Sequence, residues 1–497
     1  MTNNANNLSG VRLPLLILLV LMLDGCMVGP DYQPPKANVP EQWLSADNPQ
    51  ATKANLEVNW WHSFNDALLD QLIEKALHSN PDLKIAETRI SEERAARASA
   101  FAALLPTGDL MGSANRQANQ LGFPSGGGGP TAISTLVKQP FNIFKTGFDA
   151  SWELDLFGGH RRQLESAQAE LEASAISHED ILISTLAEVA RNYIDIRLYQ
   201  AQLDIAQSTY AADQKTTALM QERVKIGEAP GIDTTRAESQ QEHDRAQIAY
   251  FSNLLAQTNY GMDVLLGEKP GATQALLNST ATPIAVPMSD KQLILEAPAK
   301  VIAKRPDIRI AERKLASATA QQGVAVAKFF PDVSLSGFIG LFNTNAGNLL
   351  NVSSKSWGMG ASVLWPILSY GVLAANLDAA DAKQQEVLAN YQKSILSALA
   401  DVERSYTAYT EQEKYFQAQD KAVAADQHVF TIADERYQQG LTSYLDVLDA
   451  ERTYNASRNQ LMVAKAQTAL NLIAVYKSLG GSWQLPTVAV GDAGRLR

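Results

Sequence analysis

A single cysteine in 497 residues excludes an internal disulfide, and where that residue, Cys26, stands matters more than its scarcity. No stretch of 18 apolar residues exists, so no segment reads as a transmembrane helix. Blocks of Lys or Arg are missing as well. With 42 basic against 53 acidic residues the formal charge is −11, which argues against nucleic acid and anionic lipid as partners. The six histidines (His62, His78, His160, His178, His243, His428) show no metal-ligand spacing. His178 is followed by Glu179 but lacks the second His of a zinc protease, and Gly126-Gly127-Gly128-Gly129 precedes Pro130 without the Lys-Ser/Thr of a phosphate cradle. No enzyme, cofactor or metal site is expected.

What is present begins with an apolar run, Leu13 to Leu23, that follows Arg12 and ends in Leu23-Asp24-Gly25-Cys26. A short apolar core after a basic residue, closed by a small residue before Cys, fits a lipoprotein signal peptide over 1–25. In that reading Cys26 receives a diacylglycerol, the preceding peptide is removed and the new amine is acylated with palmitate. The alternative is a buried structural thiol.

The chain also repeats itself. Asn80-Pro81-Asp82-Leu83 recurs as Arg305-Pro306-Asp307-Ile308, and Leu105-Pro106 as Phe330-Pro331, at an offset of 225. Arg223-x-x-x-Gly227 recurs as Arg436-x-x-x-Gly440, Asp233 as Asp446, Ala237-Glu238 as Ala450-Glu451 and Leu266-Gly267 as Leu479-Gly480, at an offset of 213. Copies of roughly 185 residues exceed a solenoid unit, so each is a structural half. The expected division is 26–79, an N-terminal segment; 80–267, the first copy; 268–304, a Pro-bearing connection; 305–480, the second copy; and 481–497, a tail. The Gly-rich stretch near 126 is the expected home of the 12 extra positions.

Each copy predicts a β-hairpin, about 105–156 and about 331–366. From Phe144 to Leu156, Phe144, Phe148, Ala150, Trp152, Leu154 and Leu156 alternate with Lys145, Asp149, Ser151, Glu153 and Asp155. Val333, Leu335, Ile339 and Leu341 alternate likewise, as do Trp357, Met359, Ala361, Val363 and Trp365. Apolar-out, polar-in segments of this length with aromatics near the ends are the mark of an outer-membrane barrel; a soluble sandwich is the alternative. Four strands are too few to close a barrel, and open edges cannot sit in lipid, so several chains must share one. Three chains, giving twelve strands, are the smallest number that leaves a lumen.

Proline-free runs of nearly 70 residues follow each hairpin, predicting helices at about 159–226 and about 371–439, each about 100 Å long. Shorter helices are expected at 81–104, 232–266 and 444–479. Leu182, Leu186, Val189, Tyr193, Ile196, Gln200 and Leu203 step by alternate fours and threes. Ile395, Leu399, Val402, Tyr406, Tyr409, Glu413 and Phe416 occupy the matching places. Such a seam argues for coiled-coil pairing, and the polar residues outside it suit a hollow helical tube better than a solid bundle.

On these residues the chain resembles the outer-membrane efflux protein family, the TolC-like exit ducts, and within it the lipoprotein branch typified by OprM. The matching pieces are Cys26 with Val28-Gly29-Pro30-Asp31-Tyr32, Trp60-Trp61-x-x-Phe64-x-Asp66, Trp152-Glu153-Leu154-Asp155-Leu156-Phe157-Gly158, and Arg436-Tyr437-x-x-Gly440 leading into Asp446-Val447-Leu448-Asp449-Ala450. The resemblance implies a homotrimer with a 12-stranded barrel in the outer membrane of a Gram-negative bacterium and a 12-helix tunnel in the periplasm. It also implies docking onto a periplasmic adaptor and an inner-membrane pump, and places the turns after the long helices at a constricted tip. Asp446 and Asp449 share a helical face there, so three copies would ring the constriction with six carboxylates whose crowding raises some of their pKa values. Tyr437 and Arg436, with Asp233 and Arg236 on the neighbouring turn, are the candidates for bonds that hold the tip shut. The plainer reading of these acids is a solvated helix start. The expected function is a passive export duct for small amphiphilic compounds such as drugs; a stand-alone diffusion porin and a lipid-anchored coiled coil are the alternatives.

Overall fold

The computed structural model describes residues 27–44, 59–117, 140–279, 285–289 and 295–481. Cys26, the signal segment and the Gly-rich stretch lie outside them. In chain order the elements are α1 (Ala67–Ser79), α2 (Pro81–Ala102), β1 (Thr107–Gln117), β2 (Phe141–Leu154), α3 (Gly159–Lys225), α4 (Gly231–Leu265), α5 (Ala272–Ser279), α6 (Pro298–Lys304), α7 (Pro306–Ala327), β3 (Asp332–Asn343), β4 (Lys355–Leu364), α8 (Tyr370–Gln438) and α9 (Tyr444–Ser478). They fall into two compact units, one of residues 1–35, 91–172 and 312–389, the other of residues 36–90, 173–311 and 390–497.

The first unit holds one antiparallel sheet of order β1-β2-β3-β4. Its register lines up Leu110, Phe148, Ile339 and Trp357 as one row across all four strands, and each is 62 to 77% exposed. Residues two apart share a face, so Trp152, Leu335 and Ala361 form a second row on that side and Leu154, Val333 and Val363 a third. The opposite face carries Asp149, Ser151, Ser334 and Ser336. It also carries Phe338, which the alternation alone did not foretell. That ring lies beside Gly147 and Gly340, where an added Cβ would stand 2.5 and 2.6 Å from the facing glycine's Cα, and Lys145 Nζ sits 3.9 Å from its centroid. The aromatic ring thus covers a stretch of backbone that two glycines leave bare.

The strands end sooner than alternation suggests. β2 stops at Leu154 and Leu156 N–H turns back to Leu154 O, so Leu156 is not a strand residue. Asp155 instead caps α3, accepting from His160 N at 3.1 Å and Arg161 N at 2.9 Å. β4 likewise stops at Leu364, before Trp365. Both strand-end indoles have found helix-end carbonyls: Trp152 Nε1 donates to Leu104 O at 2.9 Å and Trp365 Nε1 to Phe329 O at 3.1 Å. The duplication is therefore visible bond for bond. The chain between β1 and β2 runs from 118 to 140 and that between β3 and β4 from 344 to 354, which absorbs the whole difference between the two offsets.

The same unit clamps the N-terminal strap to its helices. Arg162, 1% exposed, donates to Val28 O at 3.2 Å, Gly29 O at 3.3 Å, Asp31 Oδ1 at 2.7 Å and Glu165 Oε2 at 2.8 Å. Gly323 makes the room: a Cβ there would meet Arg162 Cδ at 2.8 Å, while one on Gly29 would meet Gly323 Cα at 2.6 Å. Tyr32 completes the clamp through its hydroxyl bond to Glu312.

In the second unit the Trp60-Trp61-x-x-Phe64 motif forms a 3-10 turn and the centre of the core. Trp60 stacks on Tyr476 with centroids 5.4 Å apart and meets Trp61 edge-on at 5.8 Å. Leu69, Leu72 and Ile73 of α1 join Leu186, Val189, Tyr193 and Ile196 of α3 and Val402 and Tyr406 of α8 there. Asp66 caps α1 through Leu68 N and Leu69 N and accepts from the Tyr193 hydroxyl at 2.7 Å. Asn80 Nδ2 reaches Leu265 O and Arg305 Nη1 reaches Ser478 O, both at 2.7 Å, so the residue before each repeated proline ties down the matching helix end.

The predicted seam is buried from Leu182 to Ile196 and then shifts. Gln200 and Leu203 are only partly covered, while Ala201, Gln202, Ile205 and Ala206 are buried in their stead. A straight helix drifts by about 20° per heptad against a 3.5-residue repeat, which moves the buried stripe off the heptad positions.

Candidate functional site

Both long helices stop in the same way. Gly227 has φ of +80° and Gly440 of +72°, a conformation that costs glycine little. Glu228 N–H returns to Arg223 O at 2.8 Å and Leu441 N–H to Arg436 O at 2.9 Å, while Gly227 and Gly440 bond Val224 O and Tyr437 O. These are Schellman caps. The repeated Arg-x-x-x-Gly spacing is thus a pair of stop signals, and it delivers Asp233 and Asp446 to the first turn of the next helix in each copy.

The two turns differ in chemistry. In the first, Asp233 Oδ1 accepts from Arg236 Nη1 at 3.4 Å, within one helix. In the second, the place of Arg236 is taken by Asp449, which is exposed, and that pair is gone. Asp446 closes a capping box with Ser443: its Oδ2 accepts from Ser443 N at 3.1 Å, Ser443 Oγ at 3.0 Å and the Thr442 hydroxyl. The Thr442 bond first, then those from Ser443, with Arg436 contributing charge, hold the Asp446 carboxyl below the ordinary Asp range. That direction is opposite to the one crowding alone would give.

Tyr437 is not joined to Asp233, Arg236 or Arg436. Its hydroxyl accepts from Arg223 Nη1 at 2.9 Å and lies 3.5 Å from Met220 Sδ, and the Arg223 guanidinium carbon sits 5.2 Å from the ring centroid. Tyr437 also packs against Tyr444, centroids 5.8 Å apart, at the edge of a small apolar cluster of Met220, Ala237, Tyr444, Val447 and Leu448. Arg452 Nε donates to Gln240 Oε1 at 2.7 Å. One hairpin is therefore fastened to the other by a cation on α3 and a phenol on α8. Arg436 has no hydrogen bond or ion pair among the described residues; it faces Asp446 only through its charge. The sequence had marked Arg223 as a repeat residue without giving it this partner. Ser443-x-x-Asp446 was the available signal for the cap.

No described helix is long and apolar enough to cross a membrane. A four-stranded sheet with an apolar outer face, joined to helices of 67 and 69 residues, defines a subunit of an outer-membrane channel. The outer membrane efflux protein family model matches residues 72–268 and 297–481, and the chain belongs to that family. It is 31% identical over 469 residues to the cation efflux system protein CusC of Escherichia coli O6:H1 (strain CFT073), covering 94% of this chain and 98% of that one. It is 30% identical over 478 residues to the toluene efflux pump outer membrane protein TtgF of Pseudomonas putida, covering 94% and 96%. Among solved structures, the outer-membrane channel OprN superposes with a TM-score of 0.80 at 29% identity, covering 92% of this chain and all of that one. The chain is an efflux channel of the Gram-negative outer membrane, in a family of channels rather than enzymes.

Proposed function

We propose that three copies of the chain form one duct, a 12-stranded barrel in the outer membrane continuous with a 12-helix barrel in the periplasm. The observation that carries this reading is the apolar row Leu110, Phe148, Ile339 and Trp357 on a sheet whose outer strands, β1 and β4, each pair on one side only among the described residues. In lipid each unpaired backbone group costs several kcal/mol, so four strands must borrow neighbours. The duct is passive: an inner-membrane pump, working through a periplasmic adaptor, drives small amphiphilic compounds such as drugs into it. CusC is named for cations and TtgF for toluene. Two relatives of this chain named for such unlike solutes fit selection at the pump, not in the channel. In this reading Asp446, Asp449, Asp233, Arg236, Arg436 and Tyr437 surround the periplasmic constriction.

Purified protein in detergent is expected to have the mass of three chains, and in planar bilayers to be closed most of the time. A monomer with full β-content would defeat the shared barrel. A steadily open pore would instead favour a diffusion porin, and a silent protein a structural rod.

A diacylglycerol and palmitate on Cys26 complete the proposal. Its support is positional: Met27, the next residue, packs against Gly158 where β2 hands over to α3. Labelled palmitate should enter the parent and not Cys26→Ser; equal incorporation would refute the assignment.

A further inference from the structure

Away from the turns, acids from different helices meet with little to neutralise them. Asp213 on α3 is 3% exposed and its Oδ2 has no hydrogen-bond partner among the described residues. Asp244 on α4 lies within hydrogen-bond reach of it and takes two bonds of 3.2 Å from the Gln240 amide. Glu451 on α9 faces this pair, and Asp434 on α8 faces Glu451. Arg452 is the cation that faces Asp213, and its Nε is turned to Gln240 Oε1. One turn further along the same face of α3, Thr217 is 5% exposed and its hydroxyl is also without a partner among the described residues. Two ionised carboxylates offer only acceptors and repel each other. With a proton between them they make a hydrogen bond.

We propose that Asp213, Asp244 and Glu451 form a proton-binding latch that fastens the α3–α4 hairpin to the α8–α9 hairpin, the proton bridging Asp213 and Asp244. The latch concerns packing within one chain and stands whether or not the turns close a channel. Burial first, then the bond to Asp244 and the charges of Glu451 and Asp244, raise Asp213 to about 9, with Arg452 opposing. Burial first, then Asp244 and Asp434, raise Glu451 to about 7. Tyr444, which faces Asp213 and Glu451, is pushed further up and stays neutral throughout. Both acids bind protons more tightly folded than unfolded. Their contribution is therefore whole below the ordinary carboxylate range, near pH 4, and is lost as pH climbs through about 7 for Glu451 and about 9 for Asp213. Acid tightens the hairpins; alkali loosens them.

Hydrogen exchange of the assembled protein in detergent tests this, read at α3 around Asp213 and at α9 around Glu451. After correction for intrinsic rates, protection in the parent should fall by up to about tenfold per pH unit for each linked proton between pH 5 and 8.5. Asp213→Asn supplies a neutral donor of the same shape, so its protection should be higher at pH 8 and nearly level above pH 7, keeping below it only the slope that Glu451 contributes. Glu451→Gln should flatten the profile below pH 7 and spare it above. A parent profile without slope, or an Asp213→Asn profile as steep as the parent's, would overturn the latch. Should Asp213→Asn fail to assemble, an unaltered slope in Glu451→Gln below pH 7 would overturn it equally.

Discussion

Replacing Arg162 with Met should lower the stability of the sheet-bearing unit by about 3 kcal/mol and free residues 27–35 for proteolysis. The guanidinium is almost wholly out of water and serves four acceptors at once, two of them strap carbonyls. Met keeps much of the side-chain volume but donates nothing. Val28 O and Gly29 O, on a half-buried and an exposed residue, would then lose bonds from a charged donor, a kind worth about 1.5–3 kcal/mol. Asp31 is largely exposed, so its release to water costs little and the loss falls on the carbonyls. The change is read as a denaturation midpoint and as the rate of limited proteolysis within the strap. A variant with the parent's midpoint and the parent's resistance would show that the strap is held by Gly29 on Gly323 and by Tyr32, not by the cation.

Arg223→Ala should raise the open probability of single channels about tenfold, and Tyr437→Phe should do the same. The bond between them joins the two hairpins of one chain and has a charged donor, a kind of bond worth about 1.5–3 kcal/mol. If opening parts α3 from α8, the bond exists in the closed state only. Its loss can then shift the equilibrium by no more than its own worth, and 1.4 kcal/mol is about tenfold. The double variant should open no more than either single one, because each has already removed the whole interaction. Independent, additive effects would mean that the two side chains act through other partners. Asp449→Asn provides a contrast in the same recordings. Asp446 builds the α9 cap and cannot be changed without loosening that turn, whereas Asp449 is exposed and its side chain has no bonds among the described residues. Loss of cation preference with unchanged gating is the expected result for Asp449→Asn.

What the sequence disclosed and what it hid differ in kind. Helix lengths were legible because prolines are absent from the long runs and because Gly227 and Gly440 are stop signals acting within five residues. The sheet was legible from alternation, which is also local. Its ends were not, since Asp155 has the polarity of a strand residue and the job of a helix cap. The seam was readable through Ile196 and Tyr409, then the buried positions moved away from the heptad. The bonds at the turns were hidden for a different reason. Arg223 and Tyr437 are 214 positions apart, and no spacing rule links a side chain in one copy to a side chain in the other. Asp213 was invisible for the same reason, being one acid in a polar helix until three others converge near it.

The matched stop signals also act as a ruler. α4 and α9 are 35 residues each, and α3 and α8 differ by only two. Each long helix is measured from a strand end to a glycine, so the turn positions are set by residue count alone. Seven residues added to α3 and not to α8 would carry one turn about 10 Å past the other. They would pull Arg223 off Tyr437 while every local preference stayed satisfied. Length, in such a molecule, can be altered only in both copies at once. Duplication therefore leaves the two halves free to diverge in charge, as Arg236 and Asp449 have, but not in span.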